Sequence, residues 1–422
     1  MNFAIKGNII YTKTPQELTI IENGIIVFNK EKILGVFKKL PRKYHELKIT
    51  DYGNKLIIPG FTDLHVHASQ YKFRGIGTSL LLSDWLKSYT FPEEAKFENP
   101  SYFKKVYSKF VFDLTKSATT RASIFATIHV DATIELMDLL EASGLITYVG
   151  KVNMNMNAPS YLDEKTTENA LNNTTRWLEK TLGKYKNTKP IITPRFIPSC
   201  DKKLLDGLGE LALKNKLPIQ SHLSETPSEV AYVKKIEPEA TSYGDAYYRH
   251  NLFGGKNKTI MAHCVYSSND EIDLIKKQGV YIAHCPTANT NLSSGIAPIR
   301  NYLNKGLKIG LGTDIAAGHS LSIFRAIADA IQVSKLRWRL QDSSLEALTV
   351  AEAFYLATKG GGSFFGQVGS FEENYEMDAL IIDDSKLTTM DNYSIEDRLE
   401  RAIYLDSEIN IVAKYVKGRQ LF

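Results

Sequence analysis

Leu56-Ile57-Ile58-Pro59-Gly60-Phe61-Thr62-Asp63-Leu64-His65-Val66-His67 is an apolar, β-rich run that ends on two histidines. In an extended strand, residues two apart face the same side, so His65 and His67 can present both imidazoles to one point. A run that is apolar along its length and polar at its carboxyl end suits a strand buried on both faces of a parallel sheet. Seven further runs share this character: Arg121 to Ile128, Ile146 to Val152, Pro190 to Phe196, Leu217 to Glu225, Thr259 to Val265, Gly279 to Pro286 and Leu307 to Asp314. Segments of helical period fall between them, for example Ser101 to Lys116, Thr166 to Lys184, Lys202 to Lys214, Asn269 to Lys277 and Ser320 to Trp338. Strand-like runs alternating with helices are the pattern of parallel strands and crossover helices. Eight such units over roughly 300 residues suit a (β/α)8 TIM-like barrel better than an open sheet. Neither a Gly-x-Gly-x-x-Gly turn nor a phosphate-binding Gly-Lys-Ser/Thr loop is found.

The two ends of the chain have a different texture. From Ile9 to about Ile58, short β-rich runs such as Thr19-Ile20-Ile21 and Gly24-Ile25-Ile26-Val27-Phe28 alternate with Asn, Gly and Lys turns. Ala379-Leu380-Ile381-Ile382 and Ile409-Asn410-Ile411-Val412 repeat the pattern near the end. The expected organisation is a small β-sandwich domain built from 1–58 and 366–422, with the barrel at 59–365.

Bulk composition excludes several classes of function. With 422 residues, 43% hydrophobic and 23% charged, the chain is an ordinary globular sequence able to bury a large core. Its formal charge of +5 is the small difference between 52 basic and 47 acidic side chains, with no long basic block, which is weak ground for nucleic-acid binding. The start, Met1-Asn2-Phe3-Ala4-Ile5-Lys6-Gly7, lacks the apolar core of a signal peptide, and no apolar run approaches the ~18 residues that span a bilayer. Cys200, Cys264 and Cys285 are too few and scattered for a disulfide framework and read as buried thiols. A cytoplasmic protein without nucleic-acid or membrane partners is the expectation.

In a barrel of this kind the chemistry lies at the carboxyl ends of the strands, and the polar residues here are ordered accordingly. His65 and His67 end the first run, His222 and Glu225 the fifth, His263 the sixth, His284 the seventh and Asp314 the eighth. A lone His-x-His pair is often structural. Joined by His222 and Asp314 at equivalent heights, it becomes a set of three imidazoles and one carboxylate, which suits Zn²⁺, or Fe²⁺ in a more open site. A dication lowers the pKa of a coordinated water toward neutrality and so makes a nucleophile available. His263 reads as an orienter of that water, a polariser of the reacting centre, or a buried structural imidazole. Glu225, three residues after His222, reads as a proton shuttle if the chain turns after the strand, or as an exposed residue at a helix start. His284 and His129 remain open between structural and substrate-side roles.

At this point the chain resembles a known family. Pro59-Gly60-Phe61-Thr62-Asp63-Leu64-His65-Val66-His67-Ala68-Ser69-Gln70-Tyr71, with Phe73-Arg74-Gly75 after it, is similar to the first motif of the guanine deaminases of the amidohydrolase superfamily. The similarity continues through Asp84-Trp85-Leu86, Tyr89-Thr90-Phe91-Pro92-Glu93, Thr193-Pro194-Arg195-Phe196, Ser221-His222-Leu223-Ser224-Glu225, Met261-Ala262-His263-Cys264, Ala283-His284-Cys285-Pro286 and Gly310-Leu311-Gly312-Thr313-Asp314. Gly369-Ser370-Phe371-Glu372 and Met377-Asp378-Ala379 look like the family's return to the small domain, so the resemblance covers essentially the whole chain.

The resemblance implies zinc on His65, His67, His222 and Asp314, and hydrolysis of guanine at carbon 2 to xanthine and ammonia. Glu225, His263 and Asp314 would carry the catalysis. Gln70, Trp85, Arg195, Phe196, His222 and Glu225 would contact the purine, with Gln70 and Arg195 on its polar edge and Phe196 against its ring. It also implies a homodimer. Two departures stand out: Asn155 follows Met154 where the family usually has Asp, and Thr226 follows Glu225 where Asn is common. The alternatives are an aminohydrolase for another purine, a pterin or a triazine, or a non-catalytic interaction protein of the same fold. The cytidine-deaminase type of zinc enzyme is disfavoured, because no His-x-Glu followed by Pro-Cys-x-x-Cys is present.

Overall fold

The decisive run is divided between two sheets. In the computed structural model, which describes residues 2–387 and 393–422, it splits at Gly60. Strands β1 (Phe3–Thr12), β2 (Leu18–Phe28), β3 (Ile33–Phe37) and β4 (Ile49–Pro59) precede the split, and β5 (Phe61–His67) follows it. At Gly60 the backbone passes so close to the next strand that an added Cβ would lie 2.3 Å from the Thr120 side chain, and only glycine fits. The apolar composition of the run reflects burial in both sheets.

After β5 come β6 (Thr119–Phe125), β7 (Ile146–Gly150), β8 (Val152–Asn153), β9 (Thr188–Pro190), β10 (Thr193–Pro194), β11 (Ile219–Leu223), β12 (Thr259–His263), β13 (Tyr281–His284) and β14 (Lys308–Leu311). They form two four-stranded parallel sheets, β5-β6-β7-β9 and β11-β12-β13-β14, with β8 and β10 paired separately. A parallel bridge between Ile192 and Ile219 links the two sheets on one side. On the other, Asp314 N donates to His65 O at 2.8 Å and His67 N to Ile315 O at 3.1 Å. Phe61, Leu64, Val66, Ile124, Val149, Ile219, Ile260, Ile282 and Ile309 are fully or almost fully buried along these strands, as expected of parallel strands covered on both faces.

The helices expected from periodicity are present at Pro100–Lys116, Thr167–Thr181, Lys202–Asn215, Asn269–Gln278 and Ile323–Leu340. Their starts carry side-chain caps. Asp201, for instance, accepts from Leu204 N at 2.7 Å and so satisfies a donor at the open end of Lys202–Asn215.

β15 (Ala379–Asp383), β16 (Asn410–Val416) and β17 (Arg419–Gln420) join the N-terminal strands in one seven-stranded mixed sheet, ordered β17-β16-β15-β4-β1-β2-β3. Both chain ends therefore build one unit, although residues 1 and 388–392 of the expected small domain lie outside the described residues. The tail also contains a helix, Ile395–Tyr404, where the sequence suggested strand texture; Ser394 and Asp397 form its capping box. Buried Arg121 on β6 ties this unit to the parallel sheets, donating to Asp378 at 2.7 and 3.0 Å and to Glu376 at 2.8 Å. Lys414 on β16 is also buried, and its ammonium donates to the carbonyls of Thr115 (2.6 Å), in the last turn of helix Pro100–Lys116, and Thr119 (3.0 Å), at the start of β6.

Candidate active site

The strand ends deliver their polar residues to one place. Alternation along β5 sets His65 and His67 side by side, with Nε2 atoms 3.2 Å apart. From β11, His222 brings its Nε2 to 3.3 Å from that of His67. Asp314, just past β14, places Oδ1 3.2 Å from His65 Nε2 and 3.5 Å from His67 Nε2.

These four residues fit a metal ion by two criteria. A metal–nitrogen bond of about 2.0–2.1 Å puts tetrahedral ligand atoms about 3.3 Å apart, which is the spacing found. The protonation states agree as well. His222 Nδ1 lies 2.5 Å from the Arg195 carbonyl oxygen, which can only accept, so Nδ1 carries the proton and Nε2 a lone pair. Burial pushes His67 and His222 well below the usual imidazole range and lowers His65 too. Neutral imidazoles aiming lone pairs at one another at this distance repel unless a cation lies between them. Burial opposes ionisation of Asp314, but the His65, His263 and His67 imidazoles outweigh it and hold its carboxyl well below the ordinary range.

His263 ends β12 beside this cluster. Its Nδ1 lies 2.9 Å from Asn289 Oδ1, while Nε2 is 3.5 Å from Glu225 Oε2 and 3.8 Å from Asp314 Oδ2. Burial lowers its basicity, yet the Glu225 and Asp314 carboxylates prevail and raise it. Glu225 is buried rather than exposed. The strand stops at Leu223, Ser224 takes φ +49°, and Thr226 caps the helix Pro227–Ile236, so Glu225 is left turned into the interior. Ser294 Oγ donates to it at 2.7 Å, and burial raises its carboxyl above the usual range. Ser224, His263, Cys264 and Asp314 all have φ between +48° and +74°, a left-handed conformation that is costly for side-chain-bearing residues and concentrates at functional sites.

A pocket opens over the cluster. Gln70, Trp85, Arg195, Phe196, His222 and Glu225 line it, with His67, His263 and Asp314. His65 lies behind them, fully buried. His284 does not line the cavity; burial pushes it down to about 3, and neither ring nitrogen has a hydrogen-bond partner among the described residues. His129 does not line the cavity either; it precedes a different helix, Val130–Ser143, without a side-chain cap bond. Asn155 also lies away from the cavity, where its amide donates to Asp201 at 2.7 Å and accepts from Asp201 N at 3.0 Å. Asp201 thus supplies a carboxylate beside the position where the family pattern has Asp.

Two acidic residues of the site were missed. Glu94 pairs with Arg195 at 2.7 Å and accepts from Gln70 at 3.0 Å. Glu229 lines the cavity, accepts from Tyr243 at 2.7 Å, and is pushed up to about 7, chiefly by burial. The sequence signal for Glu229 is its place four residues after Glu225, and that for Glu94 its place directly after Tyr89-Thr90-Phe91-Pro92-Glu93. Cys285 also belongs here, its sulfur within 4.8 Å of ligating atoms of His263 and Asp314; burial keeps it a thiol.

Comparison with known proteins gives this arrangement a family. The model of the Amidohydrolase family matches residues 56–421. Guanine deaminase of Dictyostelium discoideum is 36% identical over 444 residues, covering 99% of this chain and 97% of that protein. The Homo sapiens guanine deaminase is 38% identical over 423 residues, with 96% and 91% covered. The crystal structure of guanine deaminase from C. acetobutylicum with bound guanine superposes with a TM-score of 0.96 at 50% identity, covering 100% of both chains. With these neighbours the fold is of the TIM-barrel type, and the chain belongs to the amidohydrolase family, among its guanine deaminases.

Proposed function

We propose that this protein hydrolyses guanine to xanthine and ammonia, with Zn²⁺ held by His65, His67, His222 and Asp314. The observation that carries the proposal is one cavity in which a tight histidine–carboxylate cluster faces Arg195, Gln70 and Phe196. The relative solved with guanine bound, similar over its full length, supports it. Fe²⁺ would suit the same donors.

The bound ion would supply an activated water at neutral pH. The protein's own groups do the rest. Arg195 and Gln70 direct donors and one acceptor at the polar edge of the purine, Phe196 and Trp85 pack its rings, and carbon 2 is thereby turned toward the cluster. Glu225, within reach of His263, takes the water's proton as the carbon–oxygen bond forms. It then gives that proton to the adjacent ring nitrogen, and carries the remaining proton of the new hydroxyl to the exocyclic amine, so that the carbonyl forms as the carbon–nitrogen bond breaks and ammonia leaves. His263, beside Glu225 and Asp314, stabilises the negative charge that develops. Xanthine remains in the pocket.

The surrounding architecture follows the same proposal. Residues 59–365 form a closed (β/α)8 barrel, supported by the hydrogen bonds joining β5 to the residues after β14. Residues 1–58 and 366–422 form a small sandwich domain, supported by apolar clusters on both faces of β1, around Ile5 and around Ala4. The chain acts as a homodimer in the cytoplasm. Three buried, unpaired cysteines fit a reducing compartment, and no helix among the described residues is long and apolar enough to cross a membrane.

Ammonia release from a panel of purines, pterins and triazines, with metal analysis of the same preparation, tests the proposal. Guanine should be among the best substrates. Rapid turnover of another ring with guanine inert would replace the substrate, and a folded, metal-free, inactive protein would replace the enzyme with an interaction module.

A further inference from the structure

We propose that Glu94 is a positioning and charge-balancing residue of the pocket, which sets Arg195 and Gln70 for a neutral oxopurine and disfavours the anion of the product. This rests on the guanine hydrolase proposed above. Arg195 is 4% exposed and Glu94 1%, so the guanidinium is stripped of water and meets a carboxylate in its place. Glu94 Oε2 accepts from Arg195 Nη1 at 2.7 Å, and Oε1 is shared between Arg195 Nη2 at 3.3 Å and Gln70 Nε2 at 3.0 Å. The other end of the Gln70 amide accepts from Ala316 N at 3.1 Å.

Both ends of that amide are therefore assigned, and it cannot flip without setting its NH2 against Ala316 N–H and its oxygen against Glu94. One N–H and one lone pair of Gln70 remain for a ligand, beside the Arg195 donors that Glu94 leaves free. At this edge the pocket offers donors and an acceptor in a fixed order, and the guanidinium charge is met by one carboxylate. A neutral purine can enter this edge at little electrostatic cost, whereas an anion sheds its hydration and meets a guanidinium whose charge Glu94 already offsets.

The distinction matters because the reaction changes acidity. Exchanging the amidine-type amino group of guanine for a carbonyl leaves xanthine with an imide-like N–H between two carbonyls, which ionises more readily. A pocket with an unopposed guanidinium would hold that anion, and product would block the next turnover. Balanced by Glu94, Arg195 still orients the substrate and lets the product go.

The test compares the parent enzyme with Glu94→Gln and Glu94→Asp, measuring kcat and KM for guanine and the inhibition constant for xanthine across a pH series. Glu94→Gln removes the countercharge. Relative to the KM for guanine, xanthine inhibition should tighten by about ten-fold or more, and increasingly as pH rises and xanthine ionises. Glu94→Asp keeps the charge and shortens the reach. KM should rise about ten-fold with kcat within a few-fold, and the ratio of xanthine inhibition to KM should stay at the parent value. An unchanged xanthine ratio in Glu94→Gln, or a loss confined to kcat in both variants, overturns the proposal. If Glu94→Gln fails to fold, Glu94→Asp decides alone, since parent-like constants in that variant refute positioning. A parent inactive on guanine would sink the substrate assignment instead, and the Glu94 comparison is then made with the ring the parent does turn over.

Discussion

Glu225→Gln replaces a carboxylate by an amide of the same size, so it isolates proton transfer from packing. The amide oxygen can still accept from Ser294, which donates at 2.7 Å, and Glu225 is not one of the four clustered ligand residues. The variant should therefore keep its metal. A positioned acid–base group contributes about 10²–10⁴-fold, and this one serves both uptake of the water's proton and its delivery to the ring and the leaving amine. A fall in kcat of about 10³-fold or more is expected, about 4 kcal/mol of barrier. Stability should move the other way. Burial raises the Glu225 carboxyl in the folded protein above its unfolded value, so its ionisation costs stability as pH rises from the unfolded pKa through the folded one. Glutamine does not ionise, and at neutral pH the variant should melt at or above the parent temperature, with the difference shrinking in acid. Ammonia release, metal content and thermal melting from pH 5 to 8 measure all three. A metal-loaded variant within about ten-fold of parent turnover would refute the shuttle role.

Removing one ligand should have the opposite signature: His67→Ala is expected to lose metal and activity together, while a chelated parent regains both with added Zn²⁺ and the variant does not, as metal content and turnover would show. Arg121→Leu leaves Asp378 buried without its cation and should cost about 3–5 kcal/mol in a urea melt; a loss under about 1 kcal/mol would mean the pair is not structural. Lys414 is pushed down to about 7 by burial, so the unfolded chain binds its proton more tightly than the folded one, and the parent should gain stability as pH rises from about 7 toward 10. Lys414→Met should flatten that rise in thermal melts, and an unchanged slope would show that the amine titrates normally.

Residue type and strand-end position made the histidine–carboxylate cluster legible in the sequence. Imidazoles and carboxylates at the ends of otherwise apolar runs have few structural uses, and His65, His67, His222 and Asp314 each lie 3.2–3.5 Å from another member of the set. Glu94 and Glu229 were hidden because an acidic residue in a short helix ordinarily faces solvent. Only tertiary packing turns them inward, Glu94 onto Arg195 and Gln70 and Glu229 into the cavity wall. Gly60 hid the division of the first run in two, since apolar composition does not record which sheet a strand joins. The tail helix Ile395–Tyr404 was obscured by the β-rich runs on either side of it, with its capping box at Ser394 as the local signal.

Asp63 accepts from Thr313 N at 3.0 Å and from Thr313 Oγ1 at 2.5 Å, across 250 residues of chain. During synthesis at about 5–20 residues per second, that separation is about 10–50 s in which Asp63, His65 and His67 have emerged and their partners have not. A nascent His-x-His pair alone holds a divalent ion weakly, so the ion should be loaded after release from the ribosome. Ribosome-stalled chains halted before Asp314 should retain no zinc through washing. With the proposed zinc site, uptake of the ion would then wait on completed synthesis.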